Sequence, residues 1–185
     1  SNGLVQTVTD ANNHVTSFAW DSARRLTQQI DGYGSALAST ATMIYDVVGD
    51  LLSETTGQST TAGYAHVATT SYAYDGLSRV LQAIAGYGTA AQAATGYTYD
   101  NAGDLLSVSD ANGHVTHLGY NAEGQVVGLI RGFGTALVST ATRIYDLAGN
   151  LLSETTGQST TAGYAHVSTT SYGYDVLDRV VQQVA

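Results

Sequence analysis

The chain is predicted to be all-β, an antiparallel β-hairpin repeat array wound as a solenoid or curved sheet. Three observations carry that expectation: a short motif recurs seven times, period-two alternation leads into most copies, and helical periodicity is missing throughout. The motif is an aromatic residue, then an acid or its amide, with Leu or Val six positions after the aromatic. It begins at Trp20-Asp21, Tyr45-Asp46, Tyr74-Asp75, Tyr99-Asp100, Tyr120-Asn121, Tyr145-Asp146 and Tyr174-Asp175. Recurrence of this kind marks one supersecondary unit that shares its core with its neighbours.

Successive aromatics are spaced 25, 29, 25, 21, 25 and 29 residues apart, so a minimal unit of 21 accepts four or eight extra residues. A second period of 100 residues lies over the first and pairs Trp20 with Tyr120, Tyr45 with Tyr145 and Tyr74 with Tyr174. The stretch LLSETTGQSTTAGYAHV is identical from Leu51 and from Leu151, as a duplication of four units would leave it. Residues 1–185 are therefore expected to form a single array of about seven units. The chain opens and closes inside a unit, which is the expectation for a fragment of a larger protein with Ser1-Asn2 a leftover of recombinant expression.

Each motif is entered along a strand. Thr16, Phe18 and Trp20 alternate, as do Thr70, Tyr72 and Tyr74, or Thr95, Tyr97 and Tyr99. The residues that follow read as a hairpin loop: Asp46, Asp100 and Asp146 accept from the backbone ahead, while Gly49, Gly103 and Gly149 supply a positive φ. A type I turn with a glycine bulge fits that pattern. The next strand carries Leu26, Leu51, Val80, Leu105, Val126, Leu151 or Val180. At the opposite end the minimal unit turns at DANNH from Asp10 or DANGH from Asp110, and the longer units carry inserts there. A lone two-stranded unit is marginal, so stacking is required.

Six basic residues, all Arg, against fifteen acids give 6 − 15 = −9. That balance argues against nucleic acid and against an anionic membrane surface. No apolar run is long enough for membrane insertion as a helix. The absence of Lys and Cys removes Schiff-base, P-loop, thiol and thiolate-metal chemistry. Regularly placed Tyr residues argue for a folded chain despite the low charged fraction.

At the quoted motifs the chain resembles the Rhs/YD-repeat family, whose unit is written YDxxGRL. The stretch from Tyr99, YDNAGDLLSVSDANGHVTHLGYN, follows it closely, and the resemblance covers essentially the whole chain. Arg after the turn glycine is kept only as Arg25, Arg79 and Arg179, with Asp50, Asp104, Gln125 and Asn150 elsewhere. The resemblance implies hairpin ribbons that spiral into a hollow shell, enclosing a toxin in bacterial Rhs and insecticidal Tc proteins and forming a barrel in teneurins. It implies a non-enzymatic, secreted or cell-surface bacterial protein whose partners are neighbouring repeats and an encapsulated toxin domain. The Pro-containing self-cleavage region of the bacterial shells is absent, since the chain has no Pro.

No catalytic, cofactor-binding or metal-binding residue is expected. His14 and His114, like His66 and His166, repeat at equivalent positions with no nucleophile or acid converging on them. Asp110-Ala-Asn112-Gly113 lacks the later ligands and closing Glu of a calcium loop. The motif aspartates repeat at turns, where capping accounts for them. Ligand or partner contact is assigned instead to rings in the inserts: Tyr33, Tyr64, Tyr87, Phe133 and Tyr164. Such rings either stack on a glycan or partner surface or fold back as local plugs. Uncovered strand edges add an expectation of edge-to-edge self-association.

Overall fold

The computed structural model describes residues 3–60, 63–160 and 163–185. All regular structure among them is β, and each strand runs antiparallel to the strands it pairs with. No helix among the described residues is long and apolar enough to cross a membrane. The chain divides into two units, Ser1–Ala94 and Thr95–Ala185.

In the first unit the strands are β1 (Thr7–Thr9), β2 (Val15–Trp20), β3 (Leu26–Asp31), β4 (Ser39–Tyr45), β5 (Leu51–Thr60), β6 (Gly63–Tyr74) and β7 (Val80–Ala85). Each pairs with the next in sequence. The second unit begins within β8 (Ala93–Tyr99) and continues through β9 (Leu105–Ser109), β10 (Val115–Tyr120), β11 (Val126–Phe133), β12 (Ser139–Tyr145), β13 (Leu151–Thr160), β14 (Gly163–Tyr174) and β15 (Val180–Val184). It follows the same sequential order. Every other hairpin connection is therefore a motif loop, and within each unit those loops share one end of the meander.

The register repeats with the sequence. Thr42 faces Thr55, which faces Thr69, and the Thr55 and Thr69 hydroxyls meet at 3.0 Å. Thr155 and Thr169 meet at 2.9 Å in the second unit. A register shift falls at the aromatic of each motif, between Ile44 and Tyr45 or between Ala73 and Tyr74, as a bulge closing the loop requires.

Sequence and structure differ at the eight-residue inserts. TGQSTTAGYAH reads as a decorated turn, yet its described residues extend β5 and β6, with Ser59 opposite Tyr64 and Thr60 opposite Gly63. The corresponding stretch extends β13 and β14. Thr is β-branched and favours a pleated backbone, which outweighs the turn-like Gly and Ser around it. Tyr64 and Tyr164 therefore stand on strand backbone rather than in flexible inserts, and their side chains lie outside the described residues.

Within each unit the described residues form a single layer with little interior. Ala141, at 6% exposure, is the only buried hydrophobic residue among them. Residues such as Leu26, Ile30, Leu51 and Leu105 are covered only in part, so the fold is held by ladder hydrogen bonds, cross-strand pairs and contacts between successive loops rather than by a packed core.

Candidate functional site

The motif end of each unit is built from one five-residue loop. Asp75 shows its logic: its amide donates to Arg79 O, Ser78 N–H donates to Asp75 O, and Leu77 and Arg79 N–H donate to Asp75 Oδ1 at 2.8 and 3.0 Å. Asp175 and Asp146 cap their loops in the same way. Asn121 substitutes its amide oxygen for the carboxylate. The fourth loop position has positive φ throughout, closing the hairpin.

Glycine is not required there. Gly49, Gly103, Gly124 and Gly149 hold the position in four motifs, but Arg24, Ser78 and Asp178 hold it in the other three with φ of 66°, 59° and 57°. Those three loops are the ones that keep the following Arg, which clamps the motif acid: Nε of Arg25, Arg79 and Arg179 each lies 2.7 Å from Oδ2 of Asp21, Asp75 and Asp175. An L-residue in the left-handed region is strained, and a charge-assisted bond across the loop supports it. The DANNH and DANGH turns are versions of the same loop, with Asn13 or Gly113 at positive φ and His14 or His114 in the place of Arg. The His14 and His114 rings reach Asp10 and Asp110 at 3.2 and 2.9 Å. The two ends of a minimal unit thus share one turn chemistry.

Five of the motif aromatics tie their hairpin to the one before it. Tyr74 donates its hydroxyl to Leu51 O at 2.9 Å, Tyr120 to Leu105 O at 2.9 Å, Tyr145 to Val126 O at 3.1 Å and Tyr174 to Leu151 O at 2.9 Å. Trp20 does the same with its indole N–H on Val5 O at 2.8 Å. In the four Tyr bonds the acceptor is the Leu or Val that closes the preceding motif. Each bond joins residues at the shared loop end, so inserts at the far end leave it unchanged. Burial raises the Tyr74 and Tyr120 hydroxyls above the usual tyrosine value, and nearby acids, led by Asp50 and Asp104 respectively, add to it.

Several aspartates are held below the ordinary carboxylate range. For Asp21, Asp75, Asp10 and Asp146 the leading cause is a backbone N–H at the fifth loop position, and for Asp110 and Asp175 it is the side chain of His114 or Arg179. Burial pushes Asp46 upward, but the N–H groups of Asp50, Gly49 and Val48 outweigh it. These are ionised acceptors already engaged in turns. Among the described residues no group of three His, Cys, Asp or Glu side chains is placed to hold a metal.

At the opposite end, Tyr33, Tyr87 and Phe133 are 56%, 53% and 51% exposed. Their positions are fixed by backbone: Tyr33 N–H donates to Val15 O, Tyr87 N–H donates to Thr69 O, and Phe133 sits opposite Val115. Phe133 also leans on His117, with ring centroids 5.3 Å apart. The structure therefore presents these three rings on ordered backbone with about half their surface open. The staple between hairpins and the pairing of Arg with a non-glycine turn residue escaped sequence reasoning, although the coincidence of Arg25, Arg79 and Arg179 with missing glycines is visible in the letters.

Residues 1–36 and 99–136 match the RHS repeat family. A search of curated proteins found no match. Among solved structures, the crystal structure of TcdB2-TccC3-TEV superimposes with a TM-score of 0.75 at 17% identity, over 98% of this chain and 10% of that one. TcdB2-TccC3-Cdc42 matches with a TM-score of 0.52 at 18% identity, over 91% of this chain and 10% of that one. A Photorhabdus luminescens Tc holotoxin pore matches with a TM-score of 0.51 at 18% identity, over 91% and 10%. The chain thus spans a tenth of the length of the solved chains it matches. Residues 1–36 and 99–136 thus match RHS repeats, and the sequential hairpins fold as the solved TcdB2-TccC3 structure does over nearly the whole chain.

Proposed function

We propose that this segment is non-enzymatic wall of a bacterial Rhs-type β-shell or stalk that encloses or presents a toxin domain outside the producing cell. The single observation that carries the reading is the single-layer architecture, in which Ala141 alone among described hydrophobic residues is buried. A sheet stabilised by ladders and staples does not need a core behind it, which suits a wall with space on one side. The motif acids are committed to capping turns, which supports a structural rather than a catalytic role. Limited proteolysis of the parent protein tests this. Its cargo domain should resist protease while the shell is intact and become sensitive when the staples are removed by Tyr→Phe changes at Tyr74, Tyr120, Tyr145 and Tyr174. Cargo equally sensitive in both forms would count against enclosure.

A second reading is favoured by the half-open rings of Tyr33, Tyr87 and Phe133: a binding module for glycans or a partner protein. Rings held on ordered backbone lose little entropy on stacking. Glycan-array binding that disappears in a Tyr33→Ala, Tyr87→Ala, Phe133→Ala variant would support it, and binding that survives would exclude those rings. Tyr64 and Tyr164 belong to the same proposal by sequence.

A further inference from the structure

The two copies of the 100-residue repeat differ between adjacent motif loops, and a cleft lies there in the second copy. In the first copy Arg25 lies over the Tyr45 ring, with its guanidinium carbon 4.9 Å from the ring centroid, and donates from Nη1 to Asp46 O at 2.7 Å. In the second copy the equivalent residue is Gln125, uncharged and shorter, which bonds Asn121 and reaches Gly149 O at 3.4 Å. An open cleft of ≈ 860 Å³ is found there, lined by Asn121, Glu123, Gln125, Tyr145, Asp146 and Leu147 among others. Ala23 of the first copy has become Glu123, which adds a negative charge at the rim.

The loop backbone differs in step. Where Arg25 takes the Asp46 carbonyl, Gly49 N–H turns to the Asp46 carboxylate at 2.7 Å. In the second copy Gly149 N–H bonds the Asp146 carbonyl itself at 3.1 Å. In the first copy the Asp46 carbonyl thus accepts from a guanidinium, which Asp21 also holds, where the Asp146 carbonyl of the second accepts from a glycine N–H.

We propose that the cleft between the Asn121 and Asp146 loops binds the guanidinium of an arginine presented by a partner polypeptide. Tyr145 offers the ring, the Asp146 carbonyl the planar acceptor, and Glu123 the steering charge. An ammonium lacks the fork geometry and binds less well, and a neutral isostere lacks the attraction to both ring and acid.

Titration of the ¹⁵N-labelled chain with a blocked Gly-Arg-Gly peptide, and with its citrulline and lysine counterparts, tests this. The arginine peptide should shift the Gly149 and Asn121 amides, with the citrulline peptide about tenfold weaker. The double variant Asn121→Asp/Gln125→Arg rebuilds the first copy's own clamp and should abolish the response. Glu123→Gln, an exposed change, should weaken arginine binding severalfold and flatten its salt dependence. Equal response to arginine and citrulline, or a response that persists in the double variant, would overturn the proposal.

Discussion

Removing a single hydroxyl from a motif tyrosine tests whether successive hairpins are tied together by the bond or only by the ring. Tyr74 donates to Leu51 O at 2.9 Å from a half-buried position, and Tyr74→Phe keeps the ring while deleting the donor. A neutral hydrogen bond of this kind contributes about 0.5–1.5 kcal/mol net. Leu51 O is left without that donor, so the upper half of the range is expected. Tyr174 makes the equivalent bond in the other unit, and two well-separated sites should add, giving roughly 2 kcal/mol for Tyr74→Phe/Tyr174→Phe. Urea unfolding followed by circular dichroism reads this as a lower midpoint at unchanged slope. The hydroxyl also predicts an alkaline limit. Because folding raises the Tyr74 and Tyr120 values above 10.0, their contribution is complete below that pH and is lost as pH climbs through the folded value. Wild-type stability in the double Phe variant would show that the ring alone joins the hairpins, and the staple would have to be abandoned.

The turn chemistry and the inserts yield further expectations. Ser78→Gly should raise stability by about 0.5–1 kcal/mol, because relief of left-handed strain exceeds the added chain entropy of glycine; a loss would mean that Ser78 contributes something beyond its φ of 59°. Acid should loosen the motif loops. The folded values of Asp21, Asp75 and Asp175 lie below 3.8, so their contribution is complete above that pH and falls away as pH drops through the folded values. An Asp75→Asn variant should show a shallower acid transition by circular dichroism than the wild type, and identical transitions would remove the carboxylate from the account. Tyr33→Ala and Tyr87→Ala should change stability by no more than about 0.5 kcal/mol each, given their exposure, and a substantially larger loss in thermal unfolding would identify the rings as plugs rather than open surface.

What the letters made legible follows from where the physics is local. The strand entries Thr70-x-Tyr72-x-Tyr74 and the capping Asp46 act within a few residues, so their pattern names the element directly. In the eight-residue insert Gly57, Ser59 and Gly63 signal a turn while Thr55, Thr56 and Thr60 favour strand, and only pairing with a partner decides between them. The staple was invisible for a related reason: Tyr74 and Leu51 are 23 residues apart and Tyr120 and Leu105 are 15, so no single spacing reveals the bond. The cleft at Gln125 needed both copies in three dimensions, since the exchange of Arg25 for Gln125 looks like simple drift until the ring beneath Arg25 is seen. The sequence left the insert rings as either a recognition surface or local plugs, and Tyr33, Tyr87 and Phe133 stand about half exposed; the cleft adds a second candidate at the motif end, which the sequence marks as scaffold.

The central claim is that the aromatic, the capped loop and the closing Leu or Val form a frame indifferent to insert length. Replacing Leu51–Tyr74 by a copy of Leu105–Tyr120 shortens the long hairpin by eight residues while preserving both ends of the frame. Native-state hydrogen exchange on this variant is the most direct measurement. The account predicts undiminished amide protection in β3, β4 and β7 and a retained bond from the transplanted tyrosine hydroxyl to the leucine carbonyl. Collapse of protection in those flanking strands would show that the long hairpin is itself part of the frame, and would contradict the account.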